Sequence, residues 1–428
     1  MSCQSNNATP PGPAIAPGIE GIDARRHAAE RGGRWPGGVD PRVPALVPGF
    51  DAPFFQAGLA GYSDAAMRIV ARRHGCPFCV TEALLDRTLL AGGRGFDKAD
   101  LGELHDNIPG GAEDHPLAGQ IMGSDPREMA ASAVKMVEQG RRTDKAYRLL
   151  AYDGALAPGV PARAGGGGEG GTPWPGAEGA EEEGAASFQV LDVNLACPVK
   201  KIERKARGGH WLAQPEGAIA ILEAVREAVP ASVPCSVKLR RSFDDTPEMA
   251  ENFERIFDAA YAMGYAWTTV HARTVEQKYI GPSRWTFLRD LVARHPEKIV
   301  FGSGDVWHVD DVFRMLAYTG VHAVSVARGC IGNPWIFRQA RQLLAGEPPA
   351  APTIAEQRAA LKAHFELSLA VTRRFRSGED ATSKMMRKFG IRFAAHHPRG
   401  EEVRLRMIAI SSLADWTGVL REFYGDEG

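Results

Sequence analysis

Short apolar runs alternate with amphipathic stretches eight times between residues 54 and 327, and this rhythm constrains the fold more than any other feature. The runs are Phe54–Leu59, Phe78–Leu84, Leu117–Met122, Phe188–Leu195, Cys235–Leu239, Trp267–His271, Ile299–Ser303 and Ala323–Ala327. Each closes on a turn or a polar cluster. Pro126–Gln139 and Pro215–Val229 lie between runs and carry apolar residues at helical spacing. Strand and helix in alternation predict an α/β fold, a (β/α)8 TIM barrel over residues 46–345. A doubly wound open sheet is the alternative. The count of eight, and the lack of Gly-x-Gly-x-x-Gly after the first run, favour closure.

The rhythm is interrupted between the third and fourth runs. Residues 154–186 contain Gly165-Gly166-Gly167-Gly168 and Glu181-Glu182-Glu183 and cannot bury a core, so they read as a low-complexity insertion. After Trp335 the strands stop. Pro348-Pro349-Ala350-Ala351-Pro352 reads as a linker, and residues 353–428 read as a small C-terminal all-helical domain. Thr353 and Glu356 have the spacing of a helix cap. Residues 1–45 are rich in Pro, Gly and Ala and are expected to be disordered.

Composition excludes some classes of function. Hydrophobic residues make up 44% and charged residues 24%, as in an ordinary globular protein. A net charge of −1 gives no global pull toward nucleic acid or a membrane, so any RNA contact must come from a local patch. The six cysteines are scattered, which argues against a disulfide framework and for a reducing cytoplasm. No secretory pattern is visible, and no apolar run approaches the ~20 residues of a membrane span.

The fourth run ends abruptly in Asn194-Leu195-Ala196-Cys197-Pro198-Val199-Lys200-Lys201. A core strand does not normally run into a proline and a charge cluster. Barrel enzymes keep their chemistry at the C-terminal strand ends, so Cys197 reads as a nucleophile, a proton donor or a ligand. The last unit, Ala327-Arg328-Gly329 onward, pairs an arginine with glycine turns and a short helix, a phosphate-binding combination. Ser303-Gly304-Asp305 supplies a second such turn on the preceding strand. Gln120, Lys238 and His271 end three other strands and converge on the same face. Together they suit an aromatic, anionic, phosphorylated cofactor such as flavin mononucleotide (FMN). Lys200, Lys201, Arg204, Lys205 and Arg207 follow the cysteine. Arg373, Arg374, Arg376, Lys384, Arg387, Lys388 and Arg392 form a second basic cluster, and two clusters flanking one pocket favour RNA. Cys76 and Cys79 have the spacing of a redox pair but lie away from this face and read as ordinary buried thiols.

The ordered set of motifs resembles the tRNA-dihydrouridine synthases. The matching pieces are Ala57-Gly58-Leu59-Ala60-Gly61, Gln120 with Gly123-Ser124-Asp125-Pro126, Asn194-x-x-Cys197-Pro198, Val237-Lys238-Leu239-Arg240, His271-x-Arg273-Thr274 and Arg328-Gly329-x-x-Gly332-Asn333-Pro334-Trp335. The chain departs from the family with Gly58-Leu59 where Pro-Met is usual, and with Ser303 in place of asparagine. The resemblance implies reduction of uridine to 5,6-dihydrouridine in tRNA by FMN, with NADPH as reductant. It implies that Cys197 protonates C5. Gly58, Leu59 and Ala60 would line the flavin, and Gln120, Lys238 and His271 would contact it. Ser303, Gly304, Asp305, Ala327, Arg328 and Gly329 would hold its phosphate end. Asn194 would orient the base, and Lys200, Lys201, Arg204 and Arg273 are further candidates for substrate contact. No metal and no membrane partner are expected, and a cytoplasmic monomer is. Two other functions fit less well: an RNA-binding or RNA-folding protein with a non-catalytic barrel, and an FMN oxidoreductase acting on a small molecule.

Overall fold

In a computed structural model, residues 18–91, 111–138, 144–152, 188–199, 206–373 and 378–425 are described. The strands are β1 (Phe54–Gln56), β2 (Cys79–Val80), β3 (Leu84–Leu85), β4 (Leu117–Met122), β5 (Val190–Leu195), β6 (Cys235–Ser242), β7 (Trp267–Thr274), β8 (Val300–Ser303) and β9 (Ala323–Val326). All pair in parallel. Hydrogen bonding runs β2–β1–β9–β8–β7–β6–β5–β4, and β4 pairs back onto β2. That closing pair makes an eight-stranded barrel, with β3 a continuation beside β4. Closure leaves no free edge.

The register sets the site. Gln120 pairs with Asp192 and Asn194 with Lys238. Arg240 pairs with His271, and His271 with Ser303. Between strands, helices such as Pro126–Val137, Pro215–Ala228 and Pro247–Ala262 cover the outside. Each starts with proline at its first turn, where the missing N–H costs no bond.

The N-terminal segment departs from the expected disorder. Among its described residues, Ala24–Arg34 and Arg42–Leu46 are helices. Asp23 caps the first by accepting from the Arg25 and Arg26 N–H groups at 3.1 Å. Val39, Val43, Val47 and Phe50 are buried against the barrel floor. The Phe50 ring stacks on Phe78 at 4.6 Å and meets Phe55 edge-on at 5.6 Å. The floor is aromatic (Phe55, Phe78, Trp267 and Phe301) and has to be covered. The segment's Pro, Gly and Ala content hid the few apolar residues that do this.

Four helices follow the barrel: Ile354–Arg373, Glu379–Phe393, Gly400–Ala409 and Leu413–Tyr424. Thr353 and Glu356 form the expected reciprocal cap, with bonds of 2.7 and 3.2 Å. Trp335 joins barrel and helices, edge-on to Phe393 at 5.4 Å. Lys388 donates to the Gly61 carbonyl, tying the second of these helices to the loop after β1. Among the described residues no helix is long and apolar enough to cross a membrane. The insertion at 154–186 lies outside the described residues.

Candidate active site at the barrel mouth

The site lies at the C-terminal ends of the strands. Pro198 prevents β5 from pairing further, and the chain turns with Cys197 at the rim, partly exposed. The returning chain closes tightly behind it. Gly209 donates its N–H to the Cys197 carbonyl at 3.0 Å. Gly208 has φ +58°, and a side chain there would press on the Cys197 Cβ. Charge at Cys197 acts on both Lys238 and Arg240, so the three share one electrostatic neighbourhood. Lys200, Lys201 and Arg204 lie outside the described residues, as do Lys205, Arg374 and Arg376.

Behind the cysteine lies a buried polar chain. The Ala196 N–H donates to Asn194 Oδ1 at 2.9 Å, and Asn194 Nδ2 donates to Gln120 Oε1 at 2.7 Å. Gln120 Nε2 donates to Asp192 Oδ2 at 2.6 Å, and Ser236 Oγ to Asp192 Oδ1 at 2.6 Å. Lys238 sits beside this chain. Burial lowers its ammonium to about 8, against the pull of Asp192. Among the described residues nothing accepts a hydrogen bond from it. The residue is only partly exposed, and a half-buried cation is better placed when an acceptor arrives, so the mouth suits an electron-rich, anionic ligand. His271 is held well below the usual imidazole range, first by burial and then by Arg240, Lys238, Arg273 and Arg328. It is therefore neutral and can donate or accept a hydrogen bond.

The opposite rim carries the glycine turns. At Gly304 (φ +119°) a side chain would strike the Ser283 hydroxyl, and at Gly329 it would strike the Val306 carbonyl. Glycine at 304 lets its turn approach the loop after β7, and glycine at 329 lets the last turn approach the one after β8. Arg328 lies 4.5 Å from the Trp307 ring and 5.1 Å from Tyr279, with its guanidinium partly exposed. Ser303 is buried and Ala327 partly exposed. At Gly58 a Cβ would run into the Thr81 carbonyl, so in this backbone a larger residue needs the chain to shift. Leu59 and Ala60 follow it, partly and fully exposed.

One expectation is corrected. Arg273 does not face a substrate: its side chain is 1% exposed. It donates to Gly281 O at 2.6 Å and to both Asp305 oxygens at 2.7 Å. It braces the loop after β7 against the turn after β8. The Asp305 carboxylate is likewise engaged, also accepting from Ser283 N–H at 2.7 Å. It shapes the turn.

Two residues that sequence reasoning gave no role now stand out. Arg240 donates to Ala196 O at 3.0 Å, Thr274 O at 2.6 Å and Lys278 O at 2.8 Å, joining the cysteine loop to the loop after β7. The alternation Lys238-x-Arg240 could have placed both on one strand face. Asp192, two residues before Asn194, is the other.

The dihydrouridine synthase (Dus) family model matches residues 172–412, more than half the chain. The chain belongs to the dihydrouridine synthase family. Relatives extend the match beyond the family model. A probable tRNA-dihydrouridine synthase of Treponema pallidum (strain Nichols) is 29% identical over 376 residues, covering 86% of this chain and 92% of its own length. The tRNA-dihydrouridine synthase B of Pseudomonas putida is 26% identical over 374 residues, covering 86% and 90%. In this family member Cys197 is the thiol at the mouth, whereas Cys76 and Cys79 are buried at the start of β2 with their sulfurs 3.8 Å apart. Iodoacetamide is expected to label Cys197 in the native protein and to reach Cys76 and Cys79 only after unfolding. Peptide mass mapping checks this.

Proposed function

We propose that this chain reduces uridine to 5,6-dihydrouridine in tRNA, with FMN as its flavin and NADPH as the reductant that recharges it. The carrying observation is Cys197, a partly exposed thiol at the mouth of a family barrel, in one electrostatic neighbourhood with Lys238 and Arg240. Gly58, Leu59 and Ala60 would line the flavin, and Gln120, Lys238 and His271 would contact it. The backbone of Ser303–Asp305 and Ala327–Gly329, with the Arg328 side chain, would hold its phosphate. The Lys238 ammonium, without an acceptor among the described residues, supports that fit.

When bound, reduced flavin supplies the hydride for C6 of the uracil ring. Cys197 gives its proton to C5, so hydride and proton together saturate the C5=C6 bond. An acid is needed there because hydride addition leaves an enolate-like centre. The Asn194 amide keeps one unused donor and one unused lone pair, enough to orient a base. A base paired inside a helix cannot reach the mouth, so the target must leave its stack. On the helical side, Lys384 and Arg387 are exposed and available to phosphates.

The purified protein is expected to be yellow and to bleach on adding NADPH without oxygen. Protein that takes up no FMN on titration contradicts the proposal. A further consequence concerns pH. Lys238 is charged in the flavin-free protein below about 8. An anionic ligand favours that charged form, so binding is coupled to its protonation. The Kd for FMN should be flat below pH 8 and rise about tenfold per unit above it. Lys238→Met should bind weakly with no such rise. On the RNA side, Lys384→Ala with Arg387→Ala should reduce the salt dependence of tRNA binding by a slope of about 1–2, with flavin content unchanged. Filter binding at several salt concentrations measures it.

A further inference from the structure

We propose that Asp192 is a positioning residue whose carboxylate fixes the amides of Gln120 and Asn194 in one orientation, so that the cysteine loop and the cofactor face move as a single unit. The inference deepens the flavin reading and rests on it for one of its two readouts.

The argument is one of hydrogen-bond direction. An amide has two ends that look alike in shape but not in chemistry, and either end can face a neighbour. Here every choice is forced. The Ala196 N–H can only donate, so Asn194 must turn Oδ1 toward it. That leaves Asn194 Nδ2 to donate to Gln120 Oε1. Gln120 must then present Nε2 on its other side, where the Asp192 carboxylate accepts it. The direction is set at the Ala196 N–H, which can only donate, so the chain cannot run in reverse. Ser236 donates into the second carboxylate oxygen and holds it in place. Asp192 is 4% exposed, so water does not compete for these bonds. Burial pushes this carboxyl up, while the Ser236 and Gln120 bonds pull it down. Lys238 supplies a compensating charge from the same face of the barrel wall.

The chain therefore has two ends with different tasks. One is the Ala196 N–H, one residue before the thiol. The other is the Gln120 amide, directed at the cofactor face. Asp192 touches neither a base nor the reacting atoms, and acts through the two amides. Removing it leaves Gln120 Nε2 buried without its acceptor, so the amide is held at one end only, through Asn194.

The test compares Asp192→Ala, Asp192→Asn and Asn194→Ala with the unaltered protein, with no RNA present. Flavin is stripped, FMN is titrated back by fluorescence quenching, and the rate of iodoacetamide labelling at Cys197 is followed by peptide mass. Asp192→Ala is expected to raise the FMN Kd about tenfold and to speed Cys197 labelling at least ~threefold as the loop loosens. Asp192→Asn should recover most of both. Its Oδ1 still accepts from Gln120, and the Ser236 hydroxyl can turn to accept from its Nδ2. Asn194→Ala should also weaken FMN by ~threefold or more, although a pure base contact would leave FMN untouched. Thermal melts confirm that each variant is folded. If Asp192→Ala fails to fold, Asn194→Ala carries the test. Labelling and FMN affinity both within ~twofold of the unaltered protein overturn the proposal. An unaltered protein that binds no FMN, with Cys197 labelling still responsive to Asp192→Ala, would remove the flavin reading and leave the positioning role standing.

Discussion

Cys197→Ala is expected to slow uridine reduction by about 10²–10⁴-fold, the usual worth of a positioned general acid. Single-turnover oxidation of the reduced enzyme by tRNA measures it. The loss should appear in the chemical step. The turn behind Cys197 is set by backbone and glycine, through Gly208, Gly209 and Pro198, and the substitution leaves these in place. The Kd for FMN and the Kd for tRNA should therefore stay close to those of the unaltered enzyme. Cys197→Ser should fall nearly as far, because a hydroxyl at that place is a far weaker acid than a thiol. A Cys197→Ala enzyme that kept full single-turnover rate would show that the proton reaches C5 from another group.

The second large effect concerns stability. Arg68 and Asp114 form an ion pair with both side chains fully buried, joined by bonds of 2.7 and 3.1 Å. Arg68 also donates to the Ser63 carbonyl at 2.8 Å, and the Ser63 hydroxyl accepts from the Leu59 N–H at 2.8 Å. The pair thus anchors the loop that would line the flavin. Asp114→Ala strands a buried guanidinium and is expected to cost about 3–5 kcal/mol, seen as a Tm drop of roughly 3–6 °C. The neighbouring pair Arg73–Glu113 joins the same elements but is 43% and 36% exposed. Glu113→Ala should cost less than ~1 kcal/mol. Equal Tm shifts for the two variants would contradict this assignment of the anchor.

Much of the barrel was legible in the sequence because parallel strands are buried on both faces and read as continuous apolar runs. Leu117–Met122, Cys235–Leu239 and Trp267–His271 are strand over their whole expected length, and each of the other five runs contains strand residues. The second run was the hardest to read. It is interrupted between Val80 and Leu84 and contributes two short pieces. The N-terminal residues were misread because composition reports average polarity, whereas a few apolar side chains, Val39 and Val43 among them, suffice to pack on the barrel floor.

The candidate site was legible where chemistry is local. Cys197 before a proline, and glycines at tight turns, carry their reasons in the sequence. Arg273 was misplaced because its partner Asp305 is distant in sequence, and only folding reveals that its charge is already engaged. Asp192 and Arg240 were passed over for the opposite reason. A buried charge in an apolar run shows its use only when the strands on either side are known.

The most direct measurement uses the flavin-reduced enzyme, an unmodified tRNA transcript and no oxygen, with the RNA then digested and mapped by mass. The account predicts that flavin is reoxidised only when RNA is present, and that one uridine gains two hydrogens. Flavin that stays reduced beside tRNA, with every uridine unchanged in mass, would contradict it.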